Sequence, residues 1–124
     1  MSDVVADCVE AYYAALQSGE PLAPFFLDRA AVVKVGISEH RVGHGAVADA
    51  LREQTATTSD WTVESRALRT DRRGACGWFT DRVGLGWTTD DGDRRRFDTR
   101  WTGTLVPADG WRFVTMHVSA PRDL

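Results

Sequence analysis

The second half of the chain constrains the fold most. From residue 61 onward four stretches, 61–69, 75–87, 97–106 and 111–119, alternate apolar and polar residues as strands do. Between them stand Asp71-Arg72-Arg73-Gly74, Thr89-Asp90-Asp91-Gly92-Asp93 and Pro107-Ala108-Asp109-Gly110, whose residue types favour hairpin turns. A chain that ends in such a meander must cover one face of an antiparallel sheet. The first half supplies the cover.

Val5, Cys8, Val9, Tyr12 and Leu16 recur at helical spacing over residues 3–18, with Ser2 placed to cap the start and Gly19 to end it. Residues 21–26 read as a short helical turn, 30–36 as a β-branched strand and 38–43 as a turn. A second long helix over 45–55 carries Val47, Ala48 and Leu51 on one face. The predicted order is α-α-β-α-β-β-β-β, an α+β plan with helices packed on one face of the sheet.

The 124 residues, 43% of them apolar, suffice for one core and so for one domain over 1–124. No apolar run approaches the roughly 20 residues needed to cross a bilayer, and the N-terminus lacks a basic-then-apolar leader, so a cytoplasmic protein away from membranes is expected. Net charge of −3 and a pI near 5.5, with arginines scattered along the chain, argue against a nucleic-acid binder. Cys8 and Cys76 lack metal or redox spacing and are expected as small buried hydrophobes. The charged run 90–96 reads as a solvated hairpin tip.

On strict alternation, Trp111, Phe113, Thr115 and His117 point to one side of the last strand, and Arg112, Val114, Met116 and Val118 to the other. Phe97, Thr99 and Trp101 share a side opposite Asp98, Arg100 and Thr102. Helices can cover one side only. Trp78, Trp101 and Phe113 are therefore expected on an outer, apolar face through which two copies would pair. His117 would lie on that same face.

Several strings resemble the nuclear transport factor 2-like superfamily, and the resemblance spans nearly the whole chain. Tyr12-Tyr13-Ala14-Ala15-Leu16-Gln17-Ser18-Gly19-Glu20 is similar to the helix end of ketosteroid isomerases, and Ser38-Glu39-His40-Arg41-Val42-Gly43 to the loop after their first strand. Residues 111–121, with Thr99-Arg100 upstream, look like the end of the calcium/calmodulin-dependent kinase association domain. The resemblance, of the SnoaL-like kind, implies a cone with a pocket between helices and concave sheet, commonly as a homodimer. It implies that Tyr12 donates a hydrogen bond to a ligand oxygen and that Arg100 lines the pocket. Asp81 and Val118 stand where the association domain has further arginines, and Met116 shares the Val118 side of its strand. Lys34 stands where the isomerases keep a carboxylate base, which argues against the steroid isomerase reaction itself.

A pocket holding Tyr12, Lys34, Asp81 and Arg100 would suit an anionic or carbonyl-bearing small molecule, with Arg100 as a carboxylate fork and Lys34, the one lysine among fifteen basic residues, as a base or Schiff-base amine. Asp81 and Arg100 would alternatively pair as a structural bridge. Glu39, His40 and His44 lack the i, i+4 register of a helical zinc site, so no metal is expected, and no motif calls for a cofactor. Two readings follow: a small-molecule binder of the cofactor-free isomerase or cyclase type, or a non-catalytic dimerisation or partner-binding module whose cone is filled by Phe25, Phe26 and Leu27.

Overall fold

A computed structural model describes residues 3–122. Helix α1 (Val4–Ser18) buries Val5, Val9, Tyr12, Tyr13, Ala15 and Leu16 along one stripe. Its cap is Asp3, whose side chain accepts from the backbone N–H groups of Val5 and Ala6; the expected cap, Ser2, lies outside the described residues. Gly19 ends the helix in the left-handed conformation at φ 71°, where a side chain would be strained. A 3-10 turn (Ala23–Phe25) follows where residues 21–26 suggested one.

Strand β1 (Val33–Val35) is shorter than expected, and 38–43 holds a second strand, β2 (His40–Val42), instead of a turn alone. All three of its residues are exposed, so no alternation marks it in the sequence. Helix α2 (His44–Thr57) turns Val47, Ala48 and Leu51 to the core.

Strand β3 (Thr58–Ser65) and strand β4 (Arg69–Arg73) replace the single expected strand 61–69. The break falls where the Ala67 N–H turns inward to donate to the Asp81 carboxylate at 2.9 Å. The meander closes with β5 (Cys76–Thr89), β6 (Arg94–Pro107) and β7 (Trp111–Ser119), β6 drawing Arg94, Arg95 and Arg96 out of the expected tip into the sheet. The strand order is β2-β1-β7-β6-β5-β3, with β4 also on β5; β1 lies parallel to β7 and the other pairs are antiparallel.

The side that packs on the helices is the aromatic one, a correction to the expected arrangement. Trp101 and Phe113 are buried, in one core with Phe79, Val83, Leu85, Leu105, Met116 and Val118. Trp101 stands opposite Val118 in the regular register, and for Phe113 the cause is a β-bulge. Thr104 pairs with Thr115 but Leu105 pairs with Phe113, so Val114 is an extra residue and the alternation of β7 inverts across it. Thr104 and Thr115 hold the bulge through their hydroxyls at 2.7 Å. Phe113 thereby faces the helices together with Met116 and Val118. Of the three rings expected outside, only Trp78 remains exposed, and the argument for pairing of copies through a broad aromatic patch falls with the other two.

The outer face is instead polar. Arg82 stands directly across from Arg100, Thr80 from Thr102, and Thr102 from His117. Arginines scattered in sequence gather here: Arg66 spans from Glu64 to Asp98, while Arg82 and Arg100 are exposed with no carboxylate within 4 Å among the described residues. Neither cysteine is fully buried as expected. Cys76 is exposed and Cys8 half-buried, its thiol 3.5 Å from the Trp111 carbonyl and pushed by burial up to about 11.

Candidate functional site

The lower part of the cone is packed solid. Tyr12 sits at its centre, met by Phe25, Phe26, Trp101 and Phe113 at centroid separations of 5.4, 6.0, 6.1 and 5.5 Å, all near edge-on. Such contacts fix the ring in one orientation. Above it the cone is open, enclosing a cavity of about 400 Å³, within the range of small-molecule sites.

Each wall follows from local sequence. On α2, Ala50, Glu53, Gln54 and Thr57 recur at i, i+3, i+4 and i+7, a semi-polar face beside the apolar stripe of Val47 and Leu51. From the sheet come Leu85, Trp87, Trp101 and Val118, and from β3 Trp61, stacked on Trp87 at 4.8 Å and 20°. The hairpin of β1 and β2 forms the charged side. Lys34 pairs with Arg41 in register, so both point the same way, and Glu39 reaches between them from the turn.

Lys34 Nζ lies 2.6 Å from Glu39 Oε1, and Arg41 Nε 3.6 Å from Glu39 Oε2. The Glu39 stem lies flat against Gly36, where a Cβ would come within 2.8 Å of Glu39 Cγ. Glycine is what permits this close approach. Lys34 is 5% exposed and is held by its ion pair with Glu39.

Tyr12 is 2% exposed, and its hydroxyl takes no hydrogen-bond partner among the described residues. Burial pushes its pKa well above the ordinary phenol value, and the negative charge of Glu39 adds to the effect. At neutral pH it is a protonated donor.

Of the residues singled out from sequence, Tyr12, Lys34 and Val118 line the cavity. Met116 is buried in the core beneath it. Asp81 lies in a separate buried cluster, accepting from Tyr13 Oη at 2.9 Å, Ser65 Oγ at 2.6 Å and the Ala67 N–H. Those three donors satisfy the carboxylate. Burial first, and the Asp81 charge second, raise the Tyr13 pKa. Arg100 points from the outer face, so the expected Asp81–Arg100 bridge does not form: neighbouring strands set Asp81 opposite Trp101 and Arg100 opposite Arg82. The cavity members that sequence reasoning missed include Glu39 as a cavity carboxylate, Arg41, Trp61, Trp87 and Trp101. The hairpin pair went unread because β2 did. Among the described residues no three His, Cys, Asp or Glu side chains converge as a metal site would require.

A family model for the SnoaL-like domain matches residues 5–123. No curated protein matches the sequence. Among solved structures, a nuclear transport factor 2-like superfamily protein from Salmonella enterica serovar Typhimurium superposes with a TM-score of 0.84 at 18% identity, covering 96% of this chain and 89% of that one. A ketosteroid isomerase-like protein from Erwinia carotovora atroseptica gives 0.78 at 16% identity, with 97% and 95% covered. An uncharacterized protein with a cystatin-like fold from Caulobacter vibrioides gives 0.80 at 20%, with 97% and 89% covered. At such identities the likeness is one of fold.

Proposed function

This chain belongs to the SnoaL-like domain family, and from the cavity its cone encloses we propose that it binds a flat, carbonyl-bearing small molecule and moves a proton on it without a cofactor. The observation that carries the reading is that the phenol of Tyr12, whose hydroxyl is unpaired among the described residues, and a carboxylate, Glu39, line the same cavity of about 400 Å³.

In this reading the ligand carbonyl accepts a hydrogen bond from Tyr12. Glu39 takes the proton from the carbon beside the carbonyl, the electron pair moves onto oxygen, and the Tyr12 donor meets the charge as it develops. The protonated Glu39 then returns the proton at another carbon, or the enolate carbon attacks a second carbonyl of the same ligand, whose π electrons move onto oxygen and take the proton from Glu39. Lys34 and Arg41 hold the carboxylate in place, and Trp61, Trp87 and Trp101 offer faces and edges to a flat ring. The carboxylate that the isomerase-like position of Lys34 lacks is thus supplied from the adjoining turn. Arg100 and Asp81 have no part in this route, and an open cavity disfavours a cone filled for partner binding alone.

Uptake of deuterium from solvent into β-tetralone, followed by NMR, tests the reading. The protein should speed exchange, and Glu39→Gln should lower the protein-dependent rate by about a hundredfold or more. An unchanged rate in the Gln variant would remove Glu39 from the role.

A further inference from the structure

Trp61 stands between two hollows. Beyond the main cavity a second one of about 280 Å³ lies between the C-terminal end of α1 and the start of β3, walled by Gln17, Ser18, Glu20, Thr55, Ser59 and Asp60. Three residues line both hollows: Leu16, Thr58 and Trp61. Leu16 belongs to the core and Thr58 is short, so the indole is the part of the wall whose loss would join them.

Three separate devices hold that indole. Its Nε1 donates to Thr58 Oγ1 at 2.8 Å, its face stacks on Trp87, and the backbone beneath it is specialised. Strand β3 slips by one residue against β5 between Ser59 and Thr62, and within the slip Asp60 adopts φ 53°, a left-handed conformation that costs a non-glycine residue energy. Arg94 secures the slip by donating from Nη1 to the Asp60 carbonyl. The braced bulge thus sets the indole where it divides the two cavities.

We propose that Trp61 is a specificity-determining residue: it closes the ligand cavity on the side of the second hollow and so limits the length of the substituent that a flat ketone can carry. This rests on the reading of the cavity as the ligand site. A ring held against the tryptophans with its oxygen at Tyr12 would send a short acyl chain toward Trp61, where a long chain meets the indole face. Removing the ring opens a way into the second hollow, lined beyond it by Leu16, Leu22 and the Thr55 stem.

The test uses two fluorescent dimethylaminonaphthyl ketones, one with a propionyl and one with an octanoyl chain, titrated against the protein and followed by the blue shift of emission on binding. The unmutated protein should bind the propionyl ketone more tightly by about tenfold or more, the scale on which pockets reject extra methylenes. Trp61→Ala should bring the ratio to near one or invert it, and Ser59→Phe, which fills the second hollow, should restore the preference when added to it. Trp61→Leu keeps apolar packing against the core and should give an intermediate ratio, so the test stands even where the alanine variant fails to fold. A ratio unmoved by both substitutions overturns the role of Trp61 and leaves the cavity reading intact. Binding of neither ketone by any folded variant overturns the cavity reading and the partition with it.

Discussion

The two faces of one sheet, built from alternate residues of the same strands, have opposite characters. On the inner face Phe79, Val83, Leu85, Trp101, Leu105 and Phe113 are buried; on the outer face the same strands present Thr80, Arg82, Arg100, Thr102 and His117 to solvent. Strand alternation guarantees that the faces differ but does not say which is covered. The choice is made by the helices: α1 and α2 offer apolar stripes, and only the aromatic side of the sheet lets those stripes and the rings leave water together.

That contrast sets the largest expected effect on stability. Phe113→Ala empties the centre of the core and should cost about 3 to 5 kcal/mol in urea unfolding. Arg100→Ala, at a residue equally central in the sheet but outside, should change stability by less than about 0.5 kcal/mol, or raise it slightly, because Arg82 directly opposite carries a like charge. Equal losses at both positions would mean that the faces are not divided as described.

A smaller effect sharpens the account of the inner face through pH. The chain has two tyrosines, Tyr12 and Tyr13, and burial raises both pKa values, the Asp81 charge adding to it at Tyr13. Unfolded, each phenol titrates near its ordinary value of about 10. Below that pH both states hold both protons and the contribution to stability is complete. Above it the unfolded chain releases protons that the native chain keeps, so stability falls with rising pH through the native values. Tyrosinate absorbance should therefore stay flat past about pH 10 while circular dichroism is native, and rise only with unfolding. A step near pH 10 in the folded protein would put one of the two phenols in water.

Much of the fold was legible in the sequence because it rests on long periodic signals. The stripe from Val5 to Leu16, the stop at Gly19, the second helix and the turns at 89–93 and 107–110 all appear where the residues place them. What escaped was short or parity-breaking. Strand β2 has three exposed residues, and the extra residue Val114 turns a correct alternation into a wrong assignment of Phe113. The site suffered from the same two causes. Tyr12, Lys34 and Val118 line the cavity, whereas the sequence offers Glu39 only as a metal ligand, since a carboxylate in a turn gains its meaning from a hairpin that brings Lys34, Glu39 and Arg41 together. Resemblance implies an inward Arg100, whereas its register with Arg82 and Ser119 sets it outside.

The proposed chemistry requires the Tyr12 hydroxyl to meet a ligand carbonyl inside the cone, and the carbon-13 resonance of that carbonyl reports it most directly. With carbonyl-labelled β-tetralone, binding to the unmutated protein should move the resonance downfield, as a hydrogen bond to oxygen does, and Tyr12→Phe should abolish the movement while the protein stays folded. A bound ketone whose carbonyl resonance is the same with tyrosine and with phenylalanine at this position would contradict the account.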